Sequence, residues 1–163
     1  MCCPIRRKLI RIPSSQTSTG VSPSVRDIDM ALDPNGIVAI GWPKTIRMCL
    51  NGPVEKRELL VKLSDAALAT ESRLFLESLL DLSRSQRADV DDKVTEMRRM
   101  YFGENAPLQI NVDYDIEHAL LVELDAQIPG SSADIVWAFA PVGDAIAHLL
   151  FAAVGHDLNP LTF

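Results

Sequence analysis

Cysteine is scarce: Cys2, Cys3 and Cys49 are the three in 163 residues. An odd count with two adjacent members makes a poor disulfide framework, because neighbouring residues close a strained ring. A reduced, intracellular setting is the expectation. There is no Cys-x-x-Cys pair, and His118, His148 and His156 lie far from every cysteine, so zinc-ligand spacing is missing. Also missing are Gly-x-Gly-x-x-Gly, a phosphate loop, a Gly-x-Ser-x-Gly elbow and His-Glu-x-x-His. Nucleotide-dependent and acyl-transfer enzymes lose their usual sequence support, and no catalytic residue, metal or cofactor is expected.

Acidic residues are absent from the first 26 positions, which hold Arg6, Arg7, Lys8, Arg11 and Arg26. Taking those five from the 16 Lys and Arg leaves 11 against 22 Asp and Glu over residues 27–163, a net charge of about -11. So acidic a body repels a phosphate backbone, which excludes nucleic acid as a partner. The N-terminus lacks an apolar run long enough for a secretory signal, since Arg11 and Pro13 interrupt Leu9 and Ile10. Ile135 to Val154 has the length of a membrane span, but Pro141, Gly143, Asp144 and His148 fall inside it and basic flanks are missing. It reads as a core helix.

What is present suits one globular domain: 47% hydrophobic and 23% charged residues over a length that fills a single core. Residues 1–26, with Pro4, Pro13, Pro23 and a Ser/Thr/Gly run, read as a flexible basic arm, and residues 27–163 as the domain. Asp33-Pro34-Asn35-Gly36 is a turn signal leading into a strand from Ile37 to Trp42. Alternation of Ile46, Met48 and Leu50, and of Leu59, Val61 and Leu63, predicts two more strands. Residues 65–84, with Leu68, Phe75, Leu79 and Leu82 at helical multiples, predict one helix or two abutting ones, and Asp89 to Tyr101 another. Leu108, Ile110, Val112 and Tyr114, then Leu120, Val122 and Leu124, predict a hairpin of fourth and fifth strands. Asp113, Asp115 and Glu117 then belong to its solvent face and turn rather than to a cation site. Ser131 with Asp134 resembles a capping box, and Ile135, Phe139, Val142, Ile146, Leu149 and Ala153 define the face of a last helix ending at Gly155. The expected fold is α+β: an antiparallel sheet of about five strands, βββ-αα-ββ-α, with helices packed on it. Trp42, Trp137 and Phe151 fall off the main stripes, places where aromatics fill a second core layer or mark an interface. His148 pairs with Asp144 at i,i+4 on the polar side of the last helix.

This element order resembles the class I chaperones of bacterial type III secretion, the family that includes the Tir chaperone. The similarity is carried by Leu32 to Val38 at the first strand, Ile46 to Leu63 as the second and third, Leu74 to Leu82 as a Leu-rich central helix, and Leu108 to Leu150 for the remainder. Two departures are the basic arm in place of the family's opening helix and an extra helix within residues 86–107. The resemblance implies a cytoplasmic, non-enzymatic homodimer that holds the N-terminal segment of a secreted effector in extended form. It implies client contacts at Ile37, Ile40, Trp42 and Met48, and dimer contacts at Leu76, Leu79 and Leu80. A second reading starts from Cys2 and Cys3 beside Arg6, Arg7 and Lys8, which resemble a dually acylated, polybasic membrane anchor. It implies a membrane-associated structural protein, similar to small viral matrix proteins, peripheral on the inner face of a membrane through residues 1–11.

Overall fold

The computed structural model describes residues 39–126 and 132–158, and among them it contains seven helices and no strand. They are α1 (Lys44–Leu50), α2 (Val54–Ala66), α3 (Thr70–Ser83), α4 (Arg87–Tyr101), α5 (Tyr114–Ala126), α6 (Ser132–Ala138) and α7 (Ala140–Val154). The α+β expectation is therefore corrected to an all-helical domain. Ala39 to Trp42 form a turn rather than the first strand, and Ile37 lies outside the described residues. The predicted second, third and fifth strands are α1, α2 and α5, while Leu108 to Asp113 is an irregular connector.

Burial gives the reason. On α1 the buried residues are Ile46, Cys49 and Leu50, at helical i,i+3,i+4 spacing, whereas Met48 is half-buried. On α2 it is Leu60, not the alternating Leu59, Val61 and Leu63, that is fully buried. On α5 Leu120 and Leu124 point inward at i,i+4 while Val122 between them is 54% exposed. A one-sided strand would have buried all three. Pro43 and Pro53 precede α1 and α2 and so begin helices instead of ending strands; proline suits a helix start, where a missing N–H costs nothing.

Helix α3 is the hub and packs against α2, α4, α6 and α7. Its Phe75, Leu76, Leu79, Leu80 and Leu82 are all buried. Phe75 meets Tyr101 and Phe102 edge-on at ring separations of 5.3 and 5.9 Å. Phe102 in turn lies 6.4 Å from Phe139, which joins the start of the α4–α5 connector to the α6–α7 junction. The connector runs back along the end of α4: Leu108 N–H donates to Met100 O, and Ile110 N–H to Tyr101 O. Asp113 then caps α5 by accepting the Asp115 N–H at 3.1 Å, and Glu117 accepts the Gly103 N–H at 3.2 Å. Those acids hold a helix start rather than edge a hairpin.

Two joints are unusual. Between α2 and α3, Ala69 N–H donates to Ser64 O and Leu68 N–H to Asp65 O, a Schellman closure whose left-handed position is Leu68 at φ 53° where glycine is usual. Between α6 and α7 the axis bends by 45° at Phe139, two residues before Pro141. There the single long C-terminal helix of the sequence reading becomes two.

Candidate functional site

Charge divides the molecule unevenly. The last Lys or Arg is Arg99; residues 100–163 contain nine acids, from Glu104 to Asp157, and all three histidines. Several basic side chains among the described residues before residue 100 are engaged, while Arg47 Nε is buried without a partner. Arg73, only 8% exposed, donates through Nε to Ser64 Oγ at 3.0 Å and through Nη1 to both Glu77 oxygens at 3.0 Å. Arg87 pairs with Asp91, Lys93 with Asp81, and Arg98 reaches across to Asp125 on α5.

Within the cation-free half, α6 and α7 present an outward face. Ile135, Val136, Phe139, Val142, Ile146 and Leu150 turn inward, leaving Trp137, Pro141, His148, Leu149 and Ala152 outside at three- and four-residue spacing. Trp137 is 51%, Leu149 45% and Phe151 39% exposed. One end of the face opens on an apolar pocket of about 160 Å³ lined by Leu82, Ser83, Ser85, Ala133, Val136 and Trp137.

Asp144 edges this face. Its Oδ1 is buried without a partner, as is Trp42 Nε1. The carboxylate sits against Gly41, and a Cβ there would push it aside. Burial raises the Asp144 pKa from its usual value, and His148 opposes that rise. His148 Nδ1 donates to the Asp144 backbone oxygen at 2.8 Å, so the imidazole is bonded to the backbone rather than to the carboxylate. Gly143 admits Trp42 and Leu79 just as closely: a Cβ there would lie 2.9 Å from Leu79 Cδ2 and 3.3 Å from Trp42 Nε1. Residues 39–42 are therefore seated on α7.

The residues expected to form the site do not come together. Ile40 is 61% exposed, Trp42 is buried in the core at 2%, and Met48 is half-buried on α1. Leu76, Leu79 and Leu80 are buried within the chain at 0 to 3% exposure, occupied by intramolecular packing. Cys2, Cys3, Arg6, Arg7 and Lys8 lie outside the described residues, as does Ile37. Leu149, assigned to the core face, points outward and Leu150 takes its place. The signal that could have found the α6–α7 face is the absence of Lys and Arg beyond Arg99, combined with the off-stripe Trp137 and Phe151. Among the described residues no group of His, Cys, Asp and Glu could hold a metal ion. No single described helix is long and apolar enough to cross a membrane; α6 and α7 reach that length only as a bent pair.

No family model, no curated protein and no solved structure matches this chain.

Proposed function

We propose that this is a non-enzymatic protein-binding domain that holds a cationic amphipathic segment of a partner on the outer face of α6 and α7. The observation that carries the reading is the exposure of Trp137, Leu149 and Phe151 on α6 and α7, inside a 64-residue stretch, residues 100–163, that has nine acids and no Lys or Arg. Exposed apolar side chains favour a partner that buries them, and the excess of acids in the same stretch of sequence favours one of opposite charge. Helix-in-groove recognition needs these two features: anchors at helical spacing and a rim that selects charge.

The task, covering a client's sticky segment, is that of a secretion chaperone, and the leading segment of a secreted effector fits it. The strands that carried the class I resemblance are helices here, so the client contacts move from Ile40, Trp42 and Met48 to Trp137, Leu149 and Phe151. The same face of a second copy suits it poorly, because residues 100–163 bring their own acids and no Lys or Arg.

The test is titration of a fluorescent, helix-forming Leu/Lys peptide into the full chain, read by anisotropy, beside a Leu/Glu peptide of the same pattern. Binding of the first alone, weakened by salt and lost in the charge-neutral variant Leu149→Asn/Phe151→Ser, is expected. Equal binding of the variant would sink the assignment of the face.

A further inference from the structure

We propose that the pocket between the end of α3 and the side of α6 is an anchor subsite that takes one neutral aromatic ring, the phenylalanine side chain of a partner segment. The inference rests on the binding reading above and adds to it the residue type that the partner carries. Size, lining and place support it.

Two elements form the walls. Leu82, Ser83 and Ser85 stand at the end of α3, and Ala133, Val136 and Trp137 face them at i, i+3 and i+4 on α6. Leu82 and Val136 are buried and lie deepest, while Ala133 and Trp137 are exposed at the edge. Ala133 contributes only a methyl group, which leaves the space open. The volume is about 160 Å³. A cavity of roughly 150 Å³ lined by Leu, Ile and Phe takes up one benzene ring, so a single ring matches the space.

The lining decides the charge. No lining residue is ionisable, so an ammonium or carboxylate entering the pocket would lose its water without gaining a counter-ion. The hydroxyls of Ser83 and Ser85 donate to the carbonyl oxygens of Leu80 and Asp81, both at 2.7 Å, so their protons are not offered to an anion. The carbonyl end of α3 repels an anion as well. An uncharged apolar group is what suits the pocket. Trp137 selects an aromatic one, because two rings gain from edge and offset contacts beyond the area they bury.

Place ties the pocket to the outer face. It lies beside Trp137, and Leu149 and Phe151 continue the exposed apolar surface along α7. A partner helix laid on that surface meets the pocket at one end. A ring lodged there fixes the register of the helix, as buried aromatic anchors do in protein interfaces.

The experiment uses the full chain labelled with ¹⁵N at its two tryptophans, Trp42 and Trp137, the second signal being identified by its loss in Trp137→Phe. Toluene, benzylammonium and benzoate are titrated separately. Toluene is expected to shift the Trp137 signal and leave Trp42 in place, with the two charged rings at least about tenfold weaker. Ala133→Leu, which fills the pocket from an exposed position, is expected to abolish the toluene shift. The helix-forming Leu/Lys peptide is then compared with a series in which each Leu in turn becomes Phe. One member is expected to bind about tenfold more tightly than the parent peptide and to lose that gain in Ala133→Leu. A Trp137 signal indifferent to toluene, an equal response to the charged rings, a series without a gain, or a gain that survives Ala133→Leu overturns the subsite. If the subsite fails while the parent peptide still binds and still depends on Leu149 and Phe151, the outer face stands without its anchor. If toluene binds but no peptide does, the partner-segment reading falls and takes the proposed occupant with it.

Discussion

Helices α1 to α4 and helices α5 to α7 solve the same packing problem with different chemistry. The first group carries its own counter-ions: Arg73 with Glu77, Arg87 with Asp91 and Lys93 with Asp81 close within it. The second has no cation of its own and borrows one, Arg98 of α4, for Asp125. Its surface is left with acids, histidines and bare apolar side chains. A surface that neutralises itself needs nothing further, whereas one that lacks a sign of charge is matched to something that supplies it. The folded part thus separates into a self-contained framework and a face built for a partner.

If the second group is held by apolar packing, its weakest point is an aromatic anchor. Phe139 is fully buried, stands where α6 meets α7 and packs near Phe102. Phe139→Ala should lose roughly 3–5 kcal/mol by the cost of an unfilled aromatic cavity, read as a shift in the urea midpoint. Phe151→Ala, at 39% exposure on the outer face, should move the midpoint far less. Equal losses would mean that the outward side chains are part of the core and that the two faces of α7 do not differ.

The matching probe in the framework is Arg73. Arg73→Met keeps the length and removes the guanidinium, leaving Ser64 Oγ without its donor and Glu77 without its cation. Glu77 is one-third exposed and Asp65 half exposed, so water recovers part of the loss, and the expected cost is about 2 kcal/mol. Arg73→Lys should recover only part, because an ammonium cannot reach Ser64 and Glu77 together. A loss below that of an exposed pair would show that the framework is not held by its ions.

The helix content was legible where the apolar spacing was long and one-sided. Phe75, Leu79 and Leu82 mark α3, and Val90, Met97 and Tyr101 mark α4 within a residue or two of its ends. It was illegible in the short elements, because in seven to thirteen residues an i,i+4 pair such as Leu120 and Leu124 is also an i,i+2,i+4 series once Val122 is apolar. Only burial separates the two, and burial is a tertiary property. Turn residues misled for a related reason: Pro43 and Asn51-Gly52-Pro53 punctuate helix ends as well as strand ends. The candidate face was half legible. Trp137 and Phe151 fall off the core stripes in the sequence, but with Leu149 placed inside and a sheet expected beneath, nothing united them.

A smaller effect has the opposite sign. Leu68 closes α2 in the left-handed region at φ 53° with its side chain 85% exposed, so it contributes no burial to offset the strain. Leu68→Gly should stabilise the framework by about 1 kcal/mol, visible as a higher melting temperature. Destabilisation would mean that Leu68 is covered in the molecule and belongs to a contact surface of its own, which would give the framework a face as well.

The finest test concerns the seam where residues 39–42 meet α7, and it is a matter of slope rather than size. Burial against Gly41 raises the Asp144 pKa above its unfolded value, with His148 working in the other direction. A carboxyl with a raised native pKa binds more protons folded than unfolded across the window between the two values. Stability is therefore greatest below the unfolded value, near pH 4, falls as pH rises toward the native value, and stays reduced above it. Asp144→Asn removes the titration, so its stability should change less over that window and exceed that of the parent at neutral pH. The remaining carboxylates of the acidic half serve as the background against which the difference is taken. A variant whose pH profile parallels the parent's would show that Asp144 is solvated at this seam, and with it that the first turn is not seated on α7. The charge contrast between the two halves would stand.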